Sequence, residues 1–94
     1  MPKIKPDSKE EARRVARACI SHNMEMYGLK DEQVALKLHM ATRSLRNRRD
    51  SPEKFTLEEL WSAAQTLKLT PVQAASIVLG RNLTSKEIKE FILM

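Results

Sequence analysis

The most informative segment of the chain reads DEQVALKLHMATRSLRNRR, over residues 31–49. Its apolar residues recur at helical spacing on both sides of a short interruption, His39-Met40-Ala41, so we predict one helix over Asp31–Leu38 and another over about Thr42–Arg49. Ala35 is small, as two helices that cross at a steep angle require at their contact. Five apolar residues are available to pack inward: Val34, Ala35, Leu38, Met40 and Leu45. The segment therefore predicts a helix-turn-helix.

Four more helices are predicted around this segment from their capping signals. Each begins with a hydroxyl residue followed three positions later by Glu or Gln, the spacing of a capping box: Ser8 with Glu11, Thr56 with Glu59, Thr70 with Gln73 and Thr84 with Glu87. The fourth helix of the chain carries an apolar stripe that we expect to face the core: Leu57, Leu60, Trp61, Ala64 and Leu67. We interpret Trp61 as core packing, with an interface anchor as the alternative.

The composition favours an all-α fold. The 94 residues are 41% hydrophobic, with only two Gly and four Pro, and β-branched residues do not group into the alternating runs typical of strands. A chain of this length builds one domain with a single core. We therefore predict a compact bundle of five to six helices as a single domain over residues 1–94, with a basic arm at residues 1–6.

The net charge of +5, from 17 Lys and Arg against 12 Asp and Glu, indicates an anionic partner. The lone Cys19 cannot form an internal disulfide, the N-terminus lacks the features of a signal peptide, and no apolar run has membrane length. We therefore expect a cytoplasmic protein, in a bacterial or phage-infected cell.

The basic excess is concentrated within the predicted helix-turn-helix. Between residues 37 and 49 there are five basic residues and no acidic one: Lys37, Arg43, Arg46, Arg48 and Arg49. Uncompensated like charge on one short helix is costly without an anionic partner, so we favour a DNA interface over a merely solvated face. Four side chains offer hydrogen bonds on the outer side of this helix: Thr42, Arg43, Arg46 and Asn47. In the major groove, Arg can bond guanine O6 and N7, and Asn can bond adenine N6 and N7.

Residues 29–69 resemble the lambda repressor-like helix-turn-helix family, which includes phage repressors and Cro proteins. The resemblance rests on the segment TLEELWSAAQTL at residues 56–67, similar to that family's fourth helix, and on six earlier residues: Leu29, Val34, Ala35, Leu38, Met40 and Leu45. It implies a five-helix core, major-groove binding by the third helix and often a dimer on a palindromic operator. The positions that match the family's base-contacting residues are Thr42, Arg43, Arg46 and Asn47.

The chain departs from the family's pattern at several positions. His39 occupies a turn position that is usually Gly and tends to need a positive φ, which His tolerates better than a branched residue. Asp31 stands where the second helix usually opens with a Gln that touches the DNA backbone, and a carboxylate there would repel phosphate. The family's small cap before the recognition helix falls on Ala41, whereas Thr42 is the better cap chemically.

These observations predict a sequence-specific double-stranded DNA-binding transcriptional regulator, of phage or mobile-element type, that reads the major groove with its third helix. We expect the bases to be contacted by Thr42, Arg43, Arg46 and Asn47. We expect the phosphates to be contacted by Lys30, Lys37, Arg48, Arg49 and Lys54. The last helix, with Ile88, Phe91 and Ile92, is either a cap on the core or the seam of a homodimer.

Other functions stay open at this point. The leading alternative is a protein-interaction module, such as an antirepressor or antitoxin, that uses the apolar C-terminal helix over residues 84–94. Structured RNA is a third possible target. We expect neither an enzyme nor a metal or cofactor, because no catalytic constellation is present and His22 and His39 lack partners at zinc spacing. Cys19 lies on an apolar stripe and is interpreted as a core residue.

Overall fold

A computed structural model describes the backbone of residues 8–92 and the side chains of residues 9–90. This part of the chain forms six α-helices and no strand: α1 (Ser8–Met26), α2 (Asp31–Lys37), α3 (Thr42–Asp50), α4 (Leu57–Thr66), α5 (Pro71–Leu79) and α6 (Ser85–Ile92), with a 3-10 turn at Pro52–Lys54 before α4. The all-α prediction is confirmed. The basic arm predicted at residues 1–6 and the side chain of the predicted cap Ser8 lie outside the described residues.

Capping boxes begin α4, α5 and α6 where the sequence predicts them. The hydroxyl of Thr56 accepts a hydrogen bond from the Glu59 amide at 3.1 Å, and the Glu59 carboxylate accepts one from the Thr56 amide at 2.9 Å. The same reciprocal pair forms between Thr70 and Gln73 and between Thr84 and Glu87. Each box satisfies amide groups that the first turn of a helix leaves without a partner, which fixes where these helices start.

The apolar core lies between α1, α2, α3 and α4. Its buried side chains are Ile20, Met24, Val34, Ala35, Leu38, Leu45, Phe55, Ala63 and Leu67. The predicted inward positions Val34, Ala35, Leu38 and Leu45 are confirmed, and Met40 packs against this cluster at its edge. Because these residues come from both sides of the turn at residues 38–41, core packing holds α2 and α3 in one arrangement.

A buried polar cluster around Asn23 joins α1 to the end of α4 and the start of α5. Asn23 Nδ2 donates to the Leu67 carbonyl at 2.8 Å and to Gln73 Oε1 at 3.0 Å. Gln73 Nε2 donates back to Asn23 Oδ1 at 2.7 Å. Since the amide groups of this cluster are hydrogen-bonded to one another and to backbone, the cluster stabilises the junction of the three helices.

The predicted apolar stripe of α4 is wrong at two positions. Leu57 is 61% exposed and Trp61 is 63% exposed, so Trp61 does not pack in the core. The core-facing side of α4 is carried by Leu60, Ala63 and Leu67, which recur at spacings of three and four residues. Leu57 and Trp61, four residues apart, share the neighbouring face of the helix. Cys19, interpreted as a core residue, is only half-buried.

Of the three residues in the predicted homodimer seam, the structure describes the side chain of Ile88 only. Ile88 is half-buried, and the side chains of Phe91 and Ile92 lie outside the described residues, so the seam stays a prediction. Among residues 8–92, no helix has the combination of length and apolar character that a membrane crossing requires.

Candidate nucleic-acid interface

The turn between α2 and α3 is a Schellman motif with His39 in the left-handed conformation. The His39 amide donates to the Leu36 carbonyl at 3.1 Å, and the Met40 amide donates to the Ala35 carbonyl at 3.0 Å. His39 has φ of 56°, as expected from its place in the turn. The motif ends α2 within one residue of Leu38 and redirects the chain into α3 after only four residues.

Ala41, not Thr42, is the residue before the first turn of α3. Its backbone is extended, with φ of −69° and ψ of 149°, and its side chain makes no capping hydrogen bond. Thr42 is the first helical residue and is half-buried. Because Thr42 does not serve as the cap, its hydroxyl is available to an external partner.

The side of α3 that faces solvent carries the four predicted base-contacting residues. We call Thr42, Arg43, Arg46 and Asn47 the outer face of α3. Leu45, on the opposite side, is 1% exposed and lies in the core. Arg43 and Asn47 are exposed, and within residues 9–90 neither side chain forms a hydrogen bond or an ion pair. Their hydrogen-bonding groups are therefore free to contact another molecule.

Asp31, in the first turn of α2, contacts two arginines of α3. Asp31 Oδ2 accepts a hydrogen bond from Arg46 Nε at 2.9 Å. Asp31 Oδ1 accepts from Arg49 Nη1 at 2.7 Å, and Oδ2 accepts from Arg49 Nη2 at 3.3 Å. These bonds, first from Arg49 and then from Arg46, lower the pKa of Asp31 to about 2. The carboxylate is thus ionised at neutral pH and joins α2 to α3.

Arg48 is paired with an acid on α4. Its Nε donates to Glu59 Oε1 at 2.8 Å, and its Nη1 reaches the Ser44 carbonyl at 3.4 Å. The hydrogen bond from the Thr56 amide and the one from Arg48 lower the pKa of Glu59. Arg48 therefore connects α3 to the capping box of α4.

The expectation that the arginines of α3 lack compensating acids is wrong for three of them. Arg46 and Arg49 pair with Asp31, and Arg48 pairs with Glu59. The acids are 11 to 18 residues away in sequence, so no pattern of neighbouring residues reveals them. Of the arginines on α3, Arg43 alone keeps an uncompensated charge within the described part of the chain.

The predicted phosphate contacts fall into two groups. Lys30, Lys37 and Lys54 are exposed. Lys30 precedes Asp31 directly, Lys37 ends α2, and Lys54 lies in the 3-10 turn that packs against α3. Arg48 and Arg49, by contrast, are half-buried and hydrogen-bonded to acids. The lysine side chains are accessible to an external anion such as phosphate, whereas these two arginines are already paired with carboxylates.

Sequence reasoning missed an exposed apolar surface on α4 and α5. Leu57 and Trp61 on α4 and Val78 and Leu79 on α5 are largely exposed. Two of them, Leu57 and Val78, line a groove of about 520 Å³ between α1, the 3-10 turn, α4 and α5, together with Ala12, Pro52, Phe55 and Ile77. In the described part of the chain, no cluster of His, Cys, Asp or Glu is arranged to hold a metal ion.

No family model matches the chain, and no curated protein or solved structure matches it. The likeness of residues 29–69 to the lambda repressor-like family therefore stays a prediction. It rests on the sequence alone.

Proposed function

We propose that the chain is a sequence-specific, double-stranded DNA-binding regulator of transcription that places α3 in the major groove. The observation that carries this proposal is the two-sidedness of α3. Leu45 anchors one side of the helix in the core, while Arg43, Arg46 and Asn47 on the other side are exposed. An α-helix fits the major groove of B-form DNA, where these side chains have complementary partners on base edges.

Arg43 and Asn47 are proposed as base readers. They lie four residues apart on the same side of α3, and their side chains make no bond to the rest of the described chain. Arg43 is suited to the two acceptors of guanine, and Asn47 to the acceptor and donor of adenine. Thr42, at the start of the helix, supplies a hydroxyl and a methyl group that can contact either a base edge or a thymine methyl.

Phosphate contacts are assigned to the exposed lysines Lys30, Lys37 and Lys54. Arg48 and Arg49 are assigned to support of α3, because their guanidinium groups are engaged by Glu59 and Asp31. The Schellman turn at His39 and the small residue Ala41 before α3 support the lambda repressor-like arrangement of the motif. The phage or mobile-element type and the cytoplasmic location stay part of the same proposal.

The proposal is tested by selecting bound sites from a random pool of duplex DNA. Fluorescence anisotropy then compares the selected site with a scrambled duplex at salt concentrations from about 50 to 200 mM. Both affinities should fall steeply as salt rises, because neutralised phosphates release counterions. The selected site should bind about 10³-fold or more tightly than the scrambled duplex at physiological salt. Equal affinity for both duplexes at every salt concentration would contradict sequence-specific reading.

A second candidate function, a protein-interaction module such as an antirepressor or antitoxin, is favoured by the exposed apolar side chains of α4 and α5. Leu57, Trp61 and Val78 are 61%, 63% and 78% exposed, and Trp is a frequent interface anchor. The two candidates differ in one measurement. An interaction module binds every duplex with the same affinity, so selection from the random pool enriches no sequence.

A homodimer is proposed through Ile88, Phe91 and Ile92, three apolar residues that recur at helical spacing in the sequence. Sedimentation equilibrium at micromolar concentration should return the mass of two chains. Ile88→Ser should shift the distribution to one chain, whereas Lys89→Ser, a change at the neighbouring position, should not. A monomer at every concentration would contradict the seam.

A further inference from the structure

Arg46 is held by its inner nitrogen only. Its Nε donates to Asp31 Oδ2 at 2.9 Å, whereas Nη1 and Nη2 make no hydrogen bond within residues 9–90. The nearest other acid, Glu32, places Oε1 3.9 Å from Nη2, beyond hydrogen-bond distance. The side chain of Arg46 is 56% exposed. The two terminal nitrogens thus make no hydrogen bond, although Nη2 lies within ion-pair distance of Glu32, while Nε is held by Asp31.

Asp31 is itself fixed from the inner side by Arg49. The guanidinium of Arg49 reaches both carboxylate oxygens, at 2.7 Å and 3.3 Å, and the Arg49 side chain is only 24% exposed. Arg49 Nη1 also lies 3.6 Å from Met24 Sδ at the edge of the core. A carboxylate that is held by two nitrogens of one arginine has little freedom to follow the other, so Arg49 makes Asp31 a fixed support.

The hydrogen bond from Arg46 Nε to Asp31 leaves Nη1 and Nη2 to bond guanine, and it limits the orientations that the guanidinium can take. The O6 and N7 acceptors take two parallel N–H groups, and a free arginine side chain loses rotamer freedom to offer them. A partner that orients the guanidinium beforehand reduces that loss for the correct base. The same carboxylate repels phosphate in every duplex, and the bonds from Arg46 to guanine offset that loss only where a guanine is in reach.

We propose that Asp31 is a specificity-determining residue that orients Arg46 toward a guanine in the major groove and disfavours binding to random sequence. The inference rests on the proposed function, since it assigns a role at the same interface. Its rival is that Asp31 merely competes with DNA for Arg46 and is displaced when DNA binds.

The test compares Asp31→Asn with Glu32→Gln, a matched control. Each variant removes one negative charge from the first turn of α2, but only Asp31 is hydrogen-bonded to Arg46. The DNA probes are the duplex that the wild-type chain selects and its variants at each guanine. The guanine read by Arg46 is the one at which the Arg46→Ala variant loses its preference.

Both charge variants should raise the affinity for scrambled duplex by a similar factor, because the change in charge is the same. One bidentate pair between Arg and guanine favours the correct base over the others by roughly 5- to 150-fold. Asp31→Asn should in addition reduce the preference for the guanine that Arg46 reads by at least about fivefold. Glu32→Gln should leave that preference unchanged. A preference that is unchanged or higher in Asp31→Asn overturns the inference and supports simple competition.

A measurement on the wild-type chain covers the case in which Asp31→Asn does not fold. In isotope-labelled protein, the Nε–H signal of Arg46 should be protected from solvent exchange both free and bound to the selected duplex. Loss of that protection on binding shows that Arg46 leaves Asp31, and overturns the inference. If the wild-type chain selects no sequence, the proposed function and this inference are both overturned. If the wild-type chain selects a sequence and Asp31→Asn keeps the same preference for the guanine that Arg46 reads, only the inference is overturned.

Discussion

Arg48 Nε donates at 2.8 Å to the same Glu59 oxygen that accepts the Thr56 amide at 2.9 Å. One carboxylate oxygen therefore both closes the capping box of α4 and holds the C-terminal half of α3. The capping box is a local feature of α4, yet through Arg48 it helps to set the position of the helix that carries the candidate interface.

Replacement of Arg48 should therefore destabilise the fold, whereas replacement of Arg43 should not. Arg48→Gln breaks a half-buried ion pair and should lower the free energy of unfolding by about 0.5–1 kcal/mol. Arg43→Gln removes the same charge from an exposed, unpaired site and should stay within about 0.5 kcal/mol of the wild type. Urea unfolding of both variants checks this, and equal stabilities would show that the Arg48–Glu59 contact contributes nothing.

Asn23 is expected to be one of the most sensitive polar positions in the chain. Asn23→Ala leaves the Leu67 carbonyl and the Gln73 side chain without their buried partner, which should cost about 2–3 kcal/mol of unfolding free energy. Asn82→Ala is the control, because the Asn82 side chain is exposed, and it should change stability by less than about 0.5 kcal/mol. Similar losses in the two variants would contradict a structural role for the cluster.

A comparison of Gly80→Ala with Gly28→Ala distinguishes two destabilising effects of an added Cβ, backbone strain at positive φ and steric clash with a neighbouring helix. Both have positive φ, 73° and 63°, so Ala at either position should cost about 1–2 kcal/mol from backbone strain. A Cβ at Gly28 meets open space, but one at Gly80 would lie 2.8 Å from the Ala12 Cβ. Gly80→Ala must therefore also push α5 away from α1, for a total of about 2–5 kcal/mol. In denaturant unfolding, the Gly80→Ala variant should have a clearly lower free energy of unfolding than the Gly28→Ala variant.

Stability should rise with pH across the acid range. The pKa values of Asp31 and Glu87 are lowered to about 2 by hydrogen bonds from Arg49 and Arg81 respectively. As pH falls, the unfolded chain takes up these protons before the folded chain does. The contribution of both carboxylates is therefore complete above about pH 5 and is lost as pH falls toward about 2. Unfolding midpoints across this range should fall less steeply in Asp31→Asn than in the wild type, and identical slopes would contradict the assignment to Asp31.

The features that sequence predicts well here are those set by residues close together in the chain. The Thr56–Glu59 box needs only two residues three positions apart, and the positive φ of His39 follows from its place in a four-residue turn. The ion pairs of Arg46 and Arg48 could not be predicted, because Asp31 and Glu59 meet α3 only after the helices pack. In the sequence, α3 consequently shows four uncompensated arginines, whereas in the fold three of them are paired with acids.

The exposure of Trp61 illustrates a different limit. Leu57 and Trp61 share one face of α4, and Leu60 and Leu67 share the next, so a pattern of apolar residues fits either face. Which face is buried depends on the position of α1 and α2 against α4, and this information is not contained in the periodicity of α4 itself. A Trp at such a boundary position can be assigned only once the neighbouring helices are placed.

Arg43 and Lys54 should affect DNA binding in different ways although each carries one positive charge. Arg43→Gln should weaken binding to the selected duplex by about 1–3 kcal/mol and relax the preference at one base position. Lys54→Gln should weaken binding to selected and scrambled duplexes alike and reduce the slope of log affinity against log salt by about one. The physical reason is that a base edge differs between sequences whereas a phosphate does not. Anisotropy titrations of both variants on both duplexes decide the matter, and a Lys54 variant that alters sequence preference while the Arg43 variant does not would reverse the two assignments.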